Sequence, residues 1–147
     1  ERLQELLKST ADIAVIVDKE WEEYWRSRDE NLLDDAETLK LKADGTISEI
    51  GQKPKSLNEI EGQYIGLMKF SAKGISQIKK VFYTAVGNGE LFGNPVEESY
   101  MTDLLQSAIT SGIRVTSVPI YDKWIEIDTI RDLKSGVASK RLEKITL

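Results

Sequence analysis

The residue pattern predicts an α/β fold: part of a mixed sheet flanked by helices, with one β-hairpin excursion. Three observations carry this. A continuous apolar run, Ile13-Ala14-Val15-Ile16-Val17, has the pattern of a buried strand of parallel type. Strand-like and helix-like segments alternate after it. Between Asp34 and Gly51, two alternating segments flank the turn Ala43-Asp44-Gly45, as in a hairpin.

Taken in order, the chain opens on a helical pattern over 1–9, with Leu3, Leu6 and Leu7 on one face. A βα repeat entered on a helix predicts at least one preceding strand, so the first βα units are expected to lie before Glu1. After the Ile13–Val17 strand, Trp21 and Trp25 stand four apart and share a side if 21–28 is helical. Such a pair either anchors a helix to a sheet or walls a cage for a quaternary ammonium. In the hairpin, Glu37–Leu41 and Thr46–Ile50 are the expected strands. Pro54 ends the excursion and leaves Lys53 at a strand exit, able to reach an anion or simply to face solvent.

Gly62–Phe70 reads as a strand whose glycines mark close approach of a ligand or another backbone. Ser71 is placed to cap a helix through Ala85 with Ile75, Ile78 and Phe82 buried. Residues 86–93 read as loop, and their glycines lack phosphate-loop spacing. A helix from about Glu98 to Ser111 turns Leu104, Leu105 and Ala108 inward and ends at Gly112. A short strand, Arg114–Val118, leads to Pro119. A last helix from Ile130 to about Ala138 runs into a charged tail.

The stretch from Tyr121 to Leu133 carries the densest chemistry. Read with period 2, Ile125 and Ile127 face a core, while Trp124, Glu126 and Asp128 face the other way. Two carboxylates then stand on one face, roughly 7 Å apart. Thr129 caps the next helix, with Asp132 in its first turn. Asp128 is thus expected at the carboxyl end of a strand, where open α/β sheets bind ligands. Adjacent carboxylates repel unless a cation lies beside them. A divalent metal or an amine-bearing substrate would serve; a solvated strand edge is the plainer alternative.

Composition narrows the chemistry. The 147 residues, 40% of them hydrophobic, suffice for one domain with a real core, and 1–147 is read as a single, partial domain. A net charge of −5, with no basic stripe interleaved with aromatics, argues against nucleic acid. No apolar run has transmembrane length and no signal peptide opens the chain, so no membrane partner is expected. There is no cysteine and no histidine, which excludes disulfides, thiolate nucleophiles, His-based triads and HExxH zinc sites. Carboxylates, lysines, hydroxyls and a hard metal ion remain. A cytoplasmic location is expected, and a homo-oligomer is compatible with the sequence.

Five short motifs occur in order: Asp34-Asp35-Ala36-Glu37-Thr38-Leu39, Gly51-Gln52-Lys53-Pro54, Gly62-Gln63-Tyr64-Ile65-Gly66-Leu67, Met101-Thr102-Asp103-Leu104-Leu105 and Trp124-Ile125-Glu126-Ile127-Asp128-Thr129. Together they resemble the second half of the nucleotidyltransferase family, in its branch acting on phosphocholine or 2-aminoethylphosphonate, which includes domains fused to phosphoenolpyruvate mutase. The likeness covers nearly the whole chain. It departs in one respect: the family's glycine-rich triphosphate loop and first metal-binding aspartate have no counterpart here.

The resemblance implies a Rossmann-like sheet and a Mg²⁺-dependent transfer of CMP from CTP to a small phosphorylated or phosphonate amine, with release of pyrophosphate. It makes Asp128 a catalytic and metal-binding aspartate, and likens Lys53 to the catalytic lysine on the acceptor's phosphate. It places Glu126 and Asp103 near the acceptor's ammonium, with Tyr64 in the same pocket and Trp124, Trp21 and Trp25 as further cage walls. The partners would be CTP and the acceptor. Two other readings stay open: a binding or assembly domain that keeps the fold without turnover, and a sugar-1-phosphate nucleotidyltransferase.

Overall fold

The computed structural model describes residues 2–28, 32–121, 123–127, 129–134 and 136–146, with the side chains of Ser27, Arg28, Arg131, Val137, Ala138, Lys144 and Thr146 left undescribed. The expected apolar run is strand β1 (Ile13–Asp18), and every residue in it is buried. It is central in a three-stranded sheet of order β4-β1-β7. β4 (Gln63–Phe70) pairs with it antiparallel and β7 (Thr116–Ile120) parallel, so the sheet is mixed.

Burial on both faces explains why β1 has no polar alternation. Ile13, Val15 and Val17 join a core with Ile78, Ala85, Leu104, Leu105 and Ala108. Those residues come from α4 (Ala72–Asn88) and α5 (Met101–Thr110). Ala14 and Ile16 cluster instead with Ile120 and with Leu6 of α1 (Arg2–Lys8). Leu3 and Leu7, expected beside Leu6, are 56% and 61% exposed, because this seven-residue helix lays one side chain on the sheet.

The hairpin forms as expected, from β2 (Leu39–Leu41) and β3 (Ile47–Ile50), around Gly45 at φ +77°. Ile47 N donates to Val115 O, and Ile50 N donates to the buried Gln106 Oε1 of α5. The excursion is therefore pinned to the body at both ends. Gly51, at φ +78°, lies so close to α5 that a Cβ there would meet Thr102 Cβ at 2.4 Å.

Gly66 of β4 and Gly62, just before it, have separate explanations. Gly66 (φ +79°) falls where the β1–β4 register shifts, a bulge. At Gly62 a Cβ would meet Val17 Cγ1 at 2.4 Å and Asp18 O at 3.0 Å, so the close approach is to the chain's own β1.

In α4, Ser71 caps as expected, its Oγ accepting from Gly74 N at 3.0 Å. The buried line is Gly74, Ile78 and Ala85; Ile75 and Phe82 are 41% and 39% exposed. The helix meets the Asp12 backbone at Gly74, where a Cβ would stand 2.1 Å from Asp12 O, and that contact rotates Ile75 outward. The expected loop 86–93 is instead the end of α4, a left-handed cap at Gly89 and a two-residue ladder between β5 (Glu90–Leu91) and β6 (Asn94–Pro95). β7 lies two residues later than expected and contains Pro119, which an edge strand tolerates.

The strand expected at Trp124–Asp128 is not formed: residues 123–127 are neither helix nor strand, and Asp128 lies outside the described residues. Lys123, at φ +61°, breaks the extended run, and Ile127, expected in the core, is 43% exposed. Further on, the Thr129 cap holds: Asp132 Oδ2 accepts from Thr129 N, and Thr129 Oγ1 accepts from Asp132 N. Two helices follow, α6 (Ile130–Lys134) and α7 (Gly136–Thr146). The expected charged tail is helical and delivers Arg141, 7% exposed, into the body.

Candidate functional site

The carboxyl ends of β1 and β7 and the start of β4 converge, since Asp18 pairs with Ile120 on one side and Gln63 on the other. Asp18 is fully buried and accepts hydrogen bonds from Glu20 N (2.8 Å) and Trp124 Nε1 (2.6 Å). Arg141 Nη1 stands 4.0 Å from the same carboxylate and donates to Trp124 O at 3.1 Å. Its guanidinium also lies 4.0 Å from the centre of the Tyr24 ring.

Tyr24 belongs to α2 (Trp21–Arg28), which presents Trp21, Tyr24 and Trp25 together. Trp21 and Trp25 are 4% and 5% exposed, edge-on to each other with centroids 6.2 Å apart. Trp124 completes the cluster, 5.5 Å from Tyr24 and 6.0 Å from Trp25. The Tyr24 hydroxyl donates to Glu126 O and accepts from Glu126 N, both at 2.8 Å. Four predicted site residues, Trp21, Trp25, Trp124 and Glu126, thus belong to one assembly.

A second group sits beside it. Ala36 packs in the aromatic cluster, and the next residue, Glu37, is half-buried, with its carbonyl accepting from Gln63 Nε2 at 3.0 Å. Burial pushes the Glu37 carboxyl above its ordinary value, and the nearby carboxylates of Asp103 and Asp35 push it the same way. Burial, then the Glu37 charge, raises Tyr64 to about 12. Tyr64 and Asp103, both predicted, thus each lie within electrostatic reach of Glu37. The sequence contained Glu37 within a quoted motif, but nothing in its spacing marked it as the central acid.

Asp103 also has a structural duty. It is 5% exposed, and its Oδ2 accepts from Tyr100 N at 2.8 Å to close the first turn of α5. Lys53 is exposed, and its Nζ donates to Asp34 O at 2.6 Å in α3 (Leu32–Asp35). Among the described residues, no group of three or more His, Cys, Asp or Glu side chains is placed to hold a metal ion. A cavity of about 460 Å³ between α4 and α5, lined by Lys80, Thr84, Leu91, Phe92 and Ser107 among others, contains none of the predicted site residues. Among the described residues, no helix is long and apolar enough to cross a membrane.

The fold has a solved counterpart. The chain is similar to the inositol-1-phosphate CTP transferase from T. maritima, with a TM-score of 0.60 and 19% identity, over 95% of this chain and 47% of that one. It therefore has a mixed α/β fold that a CTP transferase also uses. In sequence it is similar to the CTP:phosphoglutamine cytidylyltransferase of Campylobacter jejuni, 40% identical over 133 residues, which are 90% of this chain and 52% of that protein. The chain spans about half the length of this curated relative. No family model matches it.

Proposed function

We propose that the chain is the acceptor-binding part of a cytidylyltransferase, which transfers CMP from CTP to a small phosphorylated or phosphonate amine. The observation that carries this is the 40% identity, over 90% of the chain, to an enzyme named for CTP and phosphoglutamine. The acidic group at Glu37 supports the amine. A half-buried carboxylate raised by burial and by neighbouring acids is relieved by an incoming ammonium.

In the proposed reaction an acceptor phosphoryl oxygen attacks the α-phosphorus of CTP. One P–O bond forms, the bond to the bridging oxygen breaks, and pyrophosphate leaves. A phosphate monoester loses its second proton near pH ~6, so no side-chain base is needed. What the reaction needs is positive charge where two anions meet. Lys53, exposed and held only to a carbonyl by its described hydrogen bond, can turn toward the acceptor's phosphoryl group. Glu37, Asp103 and Tyr64 would hold the ammonium, with Glu126, Trp124 and Trp21 closing the neighbouring wall. Mg²⁺ is part of the proposal, with Asp128 as its ligand; bound there, it would neutralise phosphate charge. The proposed location is the cytoplasm.

The test is pyrophosphate release by the native polypeptide that carries this chain. It would receive CTP with phosphoglutamine, phosphocholine, 2-aminoethylphosphonate or inositol 1-phosphate. Charge-assisted hydrogen bonds contribute about 1.5–3 kcal/mol, so the acceptors with a primary ammonium, phosphoglutamine and 2-aminoethylphosphonate, should exceed the neutral one in kcat/KM by at least about tenfold. Phosphocholine, which has no N–H to donate, gains only the attraction of its charge. Preference for the neutral acceptor refutes the amine assignment, and no turnover of CTP refutes the activity.

A further inference from the structure

The segment 123–127 belongs to no strand or helix, so its backbone groups must be held some other way. One hydroxyl does what a neighbouring strand would do. Tyr24 Oη meets both the C=O and the N–H of Glu126 at 2.8 Å, donating to the first and accepting from the second. Two residues earlier, Trp124 is held at its carbonyl by Arg141 and at its indole by Asp18. Tyr24 is 2% exposed, Asp18 0% and Arg141 7%, so these contacts are shielded from competing water.

We infer that Tyr24 is a positioning residue for acceptor recognition: its hydroxyl sets the backbone of Glu126, and through it the direction of the Glu126 carboxylate. The inference rests on the proposed reading of Glu126 as an acceptor-binding acid, but its first consequence needs no substrate. The aromatic ring supplies packing in α2, whereas the hydroxyl supplies the register of a segment 102 residues away. Tyr24→Phe separates the two, since it keeps the ring.

The experiment uses the native-length protein and Tyr24→Phe, Glu126→Gln and the double variant. Hydrogen exchange should show the Glu126 amide losing protection in Tyr24→Phe by about tenfold or more, with the β1 amides unchanged. In turnover, Tyr24→Phe should raise KM for the amine-bearing acceptor about five- to tenfold and leave KM for CTP within about twofold. The double variant should be no worse for the acceptor than Glu126→Gln alone, because both changes act through one carboxylate.

Unchanged exchange at Glu126 overturns the inference whatever the activity. So do equal effects on CTP and acceptor, or multiplicative effects in the double variant. A parent protein that turns over CTP with no acceptor fails at the proposed function instead, and the inference falls with it.

Discussion

Trp124 donates its indole N–H to the carboxylate of Asp18 at 2.6 Å, joining residues 106 apart in sequence at the carboxyl end of the central strand. The acceptor is fully buried, and the guanidinium of Arg141, 4.0 Å from it, belongs to a residue 7% exposed. Asp18→Asn keeps the shape but turns one acceptor oxygen into a donor and removes the charge facing Arg141. Breaking one side of a buried pair costs on the order of 3 kcal/mol. The expected result is an unfolding free energy lower by that amount, seen as a lower denaturant midpoint at unchanged slope, with an altered near-ultraviolet tryptophan signal. A change below about 0.5 kcal/mol would show that Asp18 is not a structural anchor.

The same contact shows where the sequence was readable. Unbroken apolar residues at Ile13–Val17 have the pattern of a strand covered on both faces, and local turn chemistry marked the hairpin and the Ser71 and Thr129 caps. Period 2 failed at Trp124–Ile127 because the segment is held by side chains distant in sequence, Tyr24, Asp18 and Arg141, rather than by its own alternation. Likewise the outward turn of Ile75 follows from Gly74 packing on Asp12, a tertiary contact with no signature in helical spacing. At the site, Tyr64 and Asp103 were found through resemblance, whereas Glu37, within electrostatic reach of both, emerged only from its burial and surroundings.

Gly51 tests how the hairpin is docked. Its φ of +78° disfavours any side chain, and an added Cβ would overlap Thr102 at 2.4 Å. A left-handed residue costs roughly 1–2 kcal/mol and overpacking roughly 1–3 kcal/mol more. Gly51→Ala should therefore lower unfolding free energy by about 2–5 kcal/mol. Gly45→Ala serves as a control: it shares the positive φ (+77°) but meets nothing within 4 Å, and should cost only the conformational part. Equal losses in the two variants would remove the role assigned to Thr102.

Glu37 should show a trade between stability and recognition. Its folded pKa is raised above the ordinary 4.5, by burial first and then by Asp103 and Asp35. Between the two values the folded state binds more protons than the unfolded one, so this group's contribution falls as pH rises through that window. Above the raised value the penalty is fully present; below 4.5 it is absent. Glu37→Gln should raise the melting temperature at pH 8 relative to the parent, with the advantage shrinking as pH falls. It should also raise KM for an amine-bearing acceptor and lower the pKa of Tyr64, now at about 12, as followed by phenolate absorbance. A variant destabilised at pH 8 would contradict the assigned strain.

Lys53 and Asp128 test the reaction itself, through the separation of turnover from folding. Lys53 is exposed and its described hydrogen bond is to a backbone carbonyl, so Lys53→Met should change stability by no more than about 0.5 kcal/mol. If its ammonium brings the acceptor's phosphoryl group toward CTP, losing it removes one preorganised electrostatic stabiliser. The expected fall in kcat is then about 10²-fold or more. Asp128→Ala should give a loss of at least the same size, by the metal-binding role that the family resemblance implies. Both are to be measured in the native-length protein with saturating CTP, alongside a melting curve. A variant that folds as the parent does and keeps near-full kcat would release that residue from the chemistry, whereas loss of turnover together with loss of folding would make its role structural.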